Sequence, residues 1–143
     1  MKRIAILGST GSIGTQALDV GRRHPDRFTV TGRSCGRNVP LLEEQIQAFR
    51  PGVVCLEQEA DALALAAAHP EVEVLWGAEG LRQIAGQAPC DLVLNALVGM
   101  RGLAPTMAAI RAGRAIALAN KETLVAGGAL VMEAVRAAGV ALL

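Results

Sequence analysis

A glycine-rich loop near the start of the chain has the composition of a phosphate-binding site. Residues 8–14 read GSTGSIG, with three glycines spaced three apart, and they follow the apolar run IAIL. Glycines let the backbone approach an anion closely, and the free amides at the start of a helix would hold it. The GxxGxxG spacing is less specific than a GxGxxG pattern, so a plain strand–helix turn remains the alternative. No Lys-Ser or Lys-Thr pair follows the last glycine, which excludes a Walker-type loop.

A second polar segment, at residues 32–38, reads GRSCGRN and contains two arginines but no acidic residue. It follows the second apolar run, where an NAD site usually carries an acid for the ribose 2′-hydroxyl. Arginine and serine instead pair with a 2′-phosphate. The segment therefore favours NADPH, with Arg33 or Arg37 as the residue that binds the 2′-phosphate. The alternative is that both arginines are solvated loop charges.

A third candidate is Lys121, one of two lysines in a chain with twelve arginines. It lies between Asn120 and Glu122, after an apolar run and before a helical segment. A cation at the carboxyl end of a strand suits a contact to substrate or cofactor. The alternative is an asparagine helix cap followed by ordinary surface charges.

The elements that must position these residues alternate along the chain. Short Val/Ile/Leu runs predict strands at 3–7, 28–32, 53–56, 72–75, 91–96, 114–118 and 139–143. Segments of helical period predict helices at 13–23, 39–49, 61–69, 77–86, 102–112 and 121–138. Uninterrupted apolar strands separated by helices are typical of a sheet covered on both faces. We therefore expect an α/β fold, a doubly wound, mostly parallel sheet of the Rossmann-like, NADP-binding kind.

Composition limits the classes of function. The 143 residues suit one domain, and a net charge of +1 gives no reason to expect a nucleic-acid or anionic-membrane partner. No apolar run approaches the roughly 20 residues that span a bilayer. Three separated cysteines without a CxxC pair indicate reduced, buried thiols and a cytoplasmic protein. Each of the two histidines precedes a proline and has no other ligand at metal-binding spacing, so no metal site is expected in this chain.

Four motifs carry a resemblance to a known family. They are GSTGSIG, the GRN at 36–38, NALVG with GLAPT at 95–106, and LANKETLV at 118–125. In this order they resemble the N-terminal NADPH-binding domain of 1-deoxy-D-xylulose 5-phosphate reductoisomerases. The resemblance implies rearrangement of a ketose phosphate and its reduction by NADPH to 2-C-methyl-D-erythritol 4-phosphate, in isoprenoid precursor biosynthesis. It also implies a divalent metal, Mg or Mn, and a homodimer.

The resemblance assigns roles to residues by position. The residues implied to contact the pyrophosphate of NADPH are Thr10, Gly11, Ser12 and Ile13. Those implied at the adenosine end, with its 2′-phosphate, are Gly36, Arg37 and Asn38. Asn120 and Glu122 would touch the cofactor, and Lys121 would face the substrate. At position 33 the family usually has a small or apolar residue, so Arg33 is a departure from its pattern.

The end of the chain carries one more expectation. Residues 140–143 read as a buried strand, and in the family the corresponding strand leads into the acids that bind the metal. We therefore expect residues 1–143 to be an NADPH-binding domain that stops before the metal-binding, catalytic part and has no turnover alone. The alternatives are another NADP-dependent dehydrogenase domain, or a non-catalytic module that binds NADPH.

Overall fold

A six-stranded sheet forms the centre of the molecule in the computed structural model. The structure describes residues 1–36, 38–97, 99–119 and 121–143, with the backbone alone for residues 99, 100, 121, 122, 124 and 126. The strands are β1 Lys2–Leu7, β2 Phe28–Ser34, β3 Val53–Leu56, β4 Glu73–Trp76, β5 Leu92–Asn95 and β6 Ala115–Leu118. All neighbouring pairs among these strands are parallel, in the spatial order β4-β3-β2-β1-β5-β6.

Helices connect the strands. They are α1 Ser12–Arg23, α2 Val39–Phe49, α3 Glu59–Ala68, α4 Gly77–Gln87, α5 Leu103–Arg111 and α6 Lys121–Ala138, with a 3₁₀ turn at Gly99–Gly102 before α5. Asn38 caps α2, because its side-chain oxygen accepts a hydrogen bond from the Leu41 amide at 3.3 Å. In the described part of the chain, no helix is both long enough and apolar enough to cross a membrane.

The core lies on both faces of the sheet. One cluster joins β1, β3 and β5 to α4, α5 and α6, with members such as Leu7, Ile84 and Ile110. Two smaller clusters lie on the opposite face, against α1, α2 and α3, with members such as Leu18 and Leu42. Strand β3 is buried along its whole length, as expected for a strand covered on both sides. The predicted α/β, doubly wound parallel architecture is confirmed.

The last predicted strand is shorter in the structure. Leu142 forms an isolated parallel bridge with Ile116 of β6, and the Leu143 amide donates to the carbonyl of Ile116 at 2.8 Å. This segment therefore extends the sheet beyond β6, although it is not a regular strand.

Strand β2 is longer than the sequence predicts. Ile4 pairs with Val30, but its neighbour Ala5 pairs with Gly32, so the register shifts by one residue between them. The shift leaves Thr31 as the extra residue of β2 and keeps the strand in the sheet through Ser34. The prediction that β2 ends at Gly32, with Arg33 in the following loop, is therefore wrong.

The strand order reverses direction between β1 and β5. From β1 the chain first moves outward through β2, β3 and β4, and then returns to the other side of β1 with β5 and β6. In open parallel sheets of this kind, ligands bind at the carboxyl ends of the strands, beside such a switch point. The glycine loop directly follows β1 and lies there.

Candidate functional site

The glycine loop between β1 and α1 has a shape that two of its glycines permit. Gly8 has a φ of 87°, and a Cβ there would lie 2.8 Å from the carbonyl oxygen of Ala96. A Cβ on Gly14 would overlap the carbonyl of Gly8 and lie 2.6 Å from the Cα of Ser9. Both of these Cβ atoms would contact backbone atoms rather than a flexible side chain. A larger residue at either position would therefore displace the loop.

Gly11 is different, because the fold does not require a glycine at this position. Its backbone is extended, and a Cβ there would meet only the carbonyl oxygen of Gly8, at an ordinary 3.6 Å. Gly11 is the N-cap of α1 and makes no side-chain capping hydrogen bond. The fold therefore leaves the space above Gly11 open.

The start of α1 offers backbone donor groups that have no acceptor within the helix. The first intrahelical bond runs from the Thr15 amide to the Gly11 carbonyl at 2.9 Å, so the amides of residues 12–14 have no acceptor inside α1. The first turn contains no acidic residue. Gly11, Ser12 and Ile13 are exposed and Thr10 is half-buried. The structure thus brings the four predicted pyrophosphate residues together at the positive end of a helix.

A buried hydrogen-bond network holds the loop from below. The Gly8 amide donates to the Ser34 hydroxyl at 2.9 Å, and the Ser9 amide donates to the Ser34 carbonyl at 2.8 Å. The Ser9 hydroxyl donates to Oε1 of Gln45 at 2.8 Å, and Nε2 of Gln45 donates to the Ser9 carbonyl at 2.9 Å. Ser9, Ser34 and Gln45 are all buried. The end of β2 and the inner face of α2 therefore both position the loop.

The predicted adenosine end lies beyond β2. Gly36 is half-buried, and a Cβ there would lie 3.6 Å from a carboxylate oxygen of Glu57. Asn38 is exposed at the start of α2. Arg37 lies outside the described residues. Next to Gly36, a cleft of about 390 Å³ opens at the carboxyl ends of the strands, and its lining includes Cys35, Leu56, Glu57, Arg101 and Pro105.

Arg33 does not reach this end of the sheet. It pairs with Ile6 inside β2, its side chain is 0% exposed, and its guanidinium carbon lies 4.4 Å from the centre of the Phe49 ring. Burial lowers the pKa of Arg33 to about 9, so the side chain stays protonated at neutral pH. The hypotheses that Arg33 binds the 2′-phosphate or is a solvated loop charge are both wrong, because the register shift turns it into the core.

The chain after β5 is fixed by a buried asparagine. Nδ2 of Asn95 donates to the Gly102 carbonyl at 2.9 Å and to the Thr106 hydroxyl at 2.8 Å, and its Oδ1 accepts from the Leu97 amide at 3.1 Å. Asn95 and Thr106 are both 0% exposed. These two residues of the NALVG and GLAPT motifs therefore shape the loop beside Gly8 through buried hydrogen bonds.

The third candidate cluster follows β6. Asn95 of β5 is the register partner of Leu118, the last residue of β6, and of Leu7, the last residue of β1. The segment after Leu118 therefore starts at the same edge as the glycine loop. Lys121 begins α6. Asn120 lies outside the described residues, as do the side chains of Lys121 and Glu122, so their predicted contacts stay predictions.

Comparison with known proteins decides the family. The sequence model of the 1-deoxy-D-xylulose 5-phosphate reductoisomerase family matches residues 4–128. The chain belongs to this family. A reductoisomerase from Gloeobacter violaceus is 54% identical, with 100% of this chain and 38% of that protein covered. One from Prosthecochloris aestuarii is 52% identical, with 95% and 36% covered. The chain thus spans little more than a third of the length of these reductoisomerases.

Solved structures of reductoisomerases share the fold closely. A DOX-P reductoisomerase in complex with NADPH, fosmidomycin and magnesium has a TM-score of 0.95 at 35% identity, with 100% of this chain and 36% of that chain covered. A Zymomonas mobilis reductoisomerase in complex with NADPH has a TM-score of 0.92 at 36% identity, with 99% and 38% covered. A Synechocystis biliverdin reductase, at 20% identity and a TM-score of 0.61, shares the fold alone.

The cysteines of this reductoisomerase-family chain lie in its apolar core. Cys35, Cys55 and Cys90 are free and buried, as predicted. Burial raises the pKa of Cys35 to about 11 and that of Cys55 to about 12, so both thiols are protonated at neutral pH.

His24 and His69 cap the carboxyl ends of α1 and α3, in agreement with their predicted places at helix ends. Within the described residues, no three potential metal ligands come together.

Proposed function

We propose that this chain is the NADPH-binding domain, residues 1–143, of a 1-deoxy-D-xylulose 5-phosphate reductoisomerase. The observation that carries the proposal is the open start of α1, where Gly11 leaves the amides of residues 12–14 uncovered beside the switch point of the sheet. Without a side chain at position 11, a phosphate group can approach the amides of the first turn of α1 closely. The reductoisomerase structures that contain NADPH support the assignment.

In this proposal the glycine loop binds the pyrophosphate. The amides of residues 12–14 donate to phosphate oxygens, and the side chains of Thr10 and Ser12 add hydroxyl donors. The exposed apolar side chain of Ile13, 46% exposed in the structure, would be covered by the bound cofactor. The network below the loop keeps these donors in place before the cofactor binds, which lowers the entropic cost of binding.

The remaining residues would bind the two ends of the cofactor and the substrate. Gly36, Arg37 and Asn38 would hold the adenosine and its 2′-phosphate, with the adenine in the cleft beside Cys35. Asn120 and Glu122 would contact the cofactor, and Lys121 would face the phosphorylated sugar. NADPH, when bound, supplies the hydride that reduces the rearranged sugar.

The whole protein would be an oxidoreductase and isomerase that converts 1-deoxy-D-xylulose 5-phosphate to 2-C-methyl-D-erythritol 4-phosphate. We propose Mg or Mn as its metal, and this chain's described residues provide no ligand set for it. A homodimer is proposed from the family resemblance. A cytoplasmic location is proposed because the three cysteines are free, as is usual in reducing compartments.

A calorimetric titration of the chain with NADPH and with NADH tests the proposal. NADPH should bind about tenfold more tightly or better, a difference of about 1.4 kcal/mol. Gly11→Ala should weaken NADPH binding about tenfold, because the added methyl group occupies the space above the loop. The same change at Gly21, in the same helix and with no atom within 4 Å of its Cβ position, is the matched control.

The outcomes of this experiment are distinct. Equal losses for Gly11→Ala and Gly21→Ala would show that the loop is only a turn. A folded wild-type chain that binds neither NADPH nor NADH would contradict the proposed cofactor site altogether.

A further inference from the structure

The proposed site has two anion-binding parts that must stay at a fixed separation. The glycine loop would bind the pyrophosphate, and the turn at 36–38 would bind the 2′-phosphate of the same molecule. A rigid scaffold that sets this separation lets both parts bind at once without reordering. Helix α2 adjoins both parts. It starts at the turn, where Asn38 is its N-cap, and it reaches the loop through Gln45, seven positions later.

The contact between Gln45 and Ser9 uses both ends of the amide group. Nε2 donates to the Ser9 carbonyl at 2.9 Å, while Oε1 accepts from the Ser9 hydroxyl at 2.8 Å. A reversed amide would place oxygen against the Ser9 carbonyl, so the pair fixes the orientation of Gln45. The side chain is 6% exposed, and Ser9 is 0% exposed. Since lost hydrogen bonds at buried groups are costly, this contact resists displacement of the loop relative to α2.

Packing alone does not explain a glutamine at this position. The neighbouring inward residues of α2, Leu42 and Ile46, are buried in the apolar cluster that covers this face of the sheet. An apolar residue at position 45 could continue that surface at no desolvation cost. The polar atoms of Gln45 make their two hydrogen bonds with the loop and with no other described residue.

We propose that Gln45 is a positioning residue that sets the spacing between the pyrophosphate loop and the 2′-phosphate turn, and thereby favours NADPH over NADH. The inference rests on the proposed function. NADH has no 2′-phosphate and uses only one of the two anion-binding parts. Loss of the spacing therefore weakens NADPH more than NADH, whereas general damage to the fold or to the loop weakens both equally.

The test compares Gln45→Met with Gln47→Met, an exposed glutamine of the same helix. The ligands are NADPH, NADH and adenosine 2′-monophosphate, which reaches the turn but lacks the pyrophosphate. For Gln45→Met, the Kd of NADPH should rise about tenfold and that of NADH at most about threefold, in keeping with one or two lost buried hydrogen bonds. The Kd of adenosine 2′-monophosphate should stay within about twofold. Gln47→Met should change none of the three.

A second variant, Ser9→Ala, removes the hydroxyl that donates to Gln45, and with it a 3.2 Å hydrogen bond from the same hydroxyl to the Ser34 carbonyl. The double variant should lose less NADPH affinity than the sum of the two single losses, since both changes remove the hydrogen bond between the Ser9 hydroxyl and Gln45. Thermal unfolding establishes whether each variant is folded. If Gln45→Met does not fold, Ser9→Ala is used in its place.

Three results would contradict the inference. Equal weakening of NADPH and NADH would make Gln45 a support of the loop alone. Unchanged affinities with a lowered melting temperature would make it a packing residue. Weakened binding of adenosine 2′-monophosphate would place the damage in the turn. A wild-type chain that does not bind NADPH overturns the proposed function itself, which is a separate result.

Discussion

Arg33 carries a positive charge although its side chain is fully buried. Its three guanidinium nitrogens are buried and have no hydrogen-bond partner among the described residues, and its main contact is the face of Phe49. A buried charge without a paired carboxylate costs more than the contact with an aromatic ring returns. The register shift of β2 leaves this side chain no route to the surface at the strand end.

We therefore expect Arg33→Met to stabilise the chain, by about 1–4 kcal/mol, because a flexible apolar side chain fills the same space without desolvation. Urea unfolding of wild type and variant measures the difference. Arg22→Met is the control, since Arg22 also lies over the Phe49 ring, at 5.7 Å, but is exposed and should change stability by less than about 0.5 kcal/mol. A loss of stability in Arg33→Met would mean that the guanidinium has a bound anion or carboxylate as its partner.

Residue type and spacing correctly placed the glycine loop between a strand and a helix. Three regularly spaced glycines after an apolar run and before a helical segment are typical of such a loop. They could not predict the role of Arg33, which depends on a one-residue bulge in β2 and on the position of Phe49. They also missed Gln45, which is 36 positions from Ser9 in the sequence. Its one sequence signal is a glutamine on the apolar side of α2, between Leu42 and Ile46.

At the scale of elements, the amino ends of β1 and β5 are joined by an ion pair. The Arg3 guanidinium lies 3.0 Å from a carboxylate oxygen of Asp91, and the Arg3 amide donates to the same carboxyl group at 2.8 Å. These hydrogen bonds from Arg3 lower the pKa of Asp91 to about 2, from a usual value of 3.8. The folded state therefore binds this proton less readily than the unfolded state does.

The sign of the resulting pH dependence follows from linkage. A lowered carboxyl pKa stabilises the fold above pH 3.8, and the contribution disappears as the pH falls toward about 2. Asp91→Asn should therefore be less stable than wild type at pH 7, with the gap closing between pH 4 and pH 2. Chemical unfolding across this range measures it. Asp19→Asn, which removes an exposed pair within α1, is the control, and an equal pH-independent loss in both variants would contradict the argument.

For the whole molecule, the alternation of apolar runs and helical segments was enough to predict the parallel sheet and the site of the glycine loop. The four strands β3 to β6 were predicted within two residues, because they are short and largely apolar, whereas the last predicted strand, 139–143, forms only an isolated bridge. The order of the strands in the sheet could not be predicted from the sequence of any single segment. It depends on α4 crossing to the opposite face after β4, and this crossover brings β5 and β6 beside β1.

Because the proposed site draws on the ends of β1, β2 and β6 together, cofactor binding should stabilise the molecule as a unit. At a hundredfold excess over its Kd, NADPH should add about 2.7 kcal/mol to the free energy of unfolding. For a domain of this size that corresponds to a rise in melting temperature of about 5–10 °C. Differential scanning calorimetry at several NADPH concentrations measures the shift.

Hydrogen exchange locates the effect within the molecule. Amides of the glycine loop and of the start of α1 should gain protection with NADPH, while those at the amino edge, around the Arg3–Asp91 pair, should gain only the global increment. At the same NADPH concentration, Gly11→Ala should show a smaller thermal shift and lose the added protection in the loop. An equal shift in Gly11→Ala and wild type would mean that NADPH binds away from the switch point. In that case the open start of α1 would not be the site that binds the pyrophosphate.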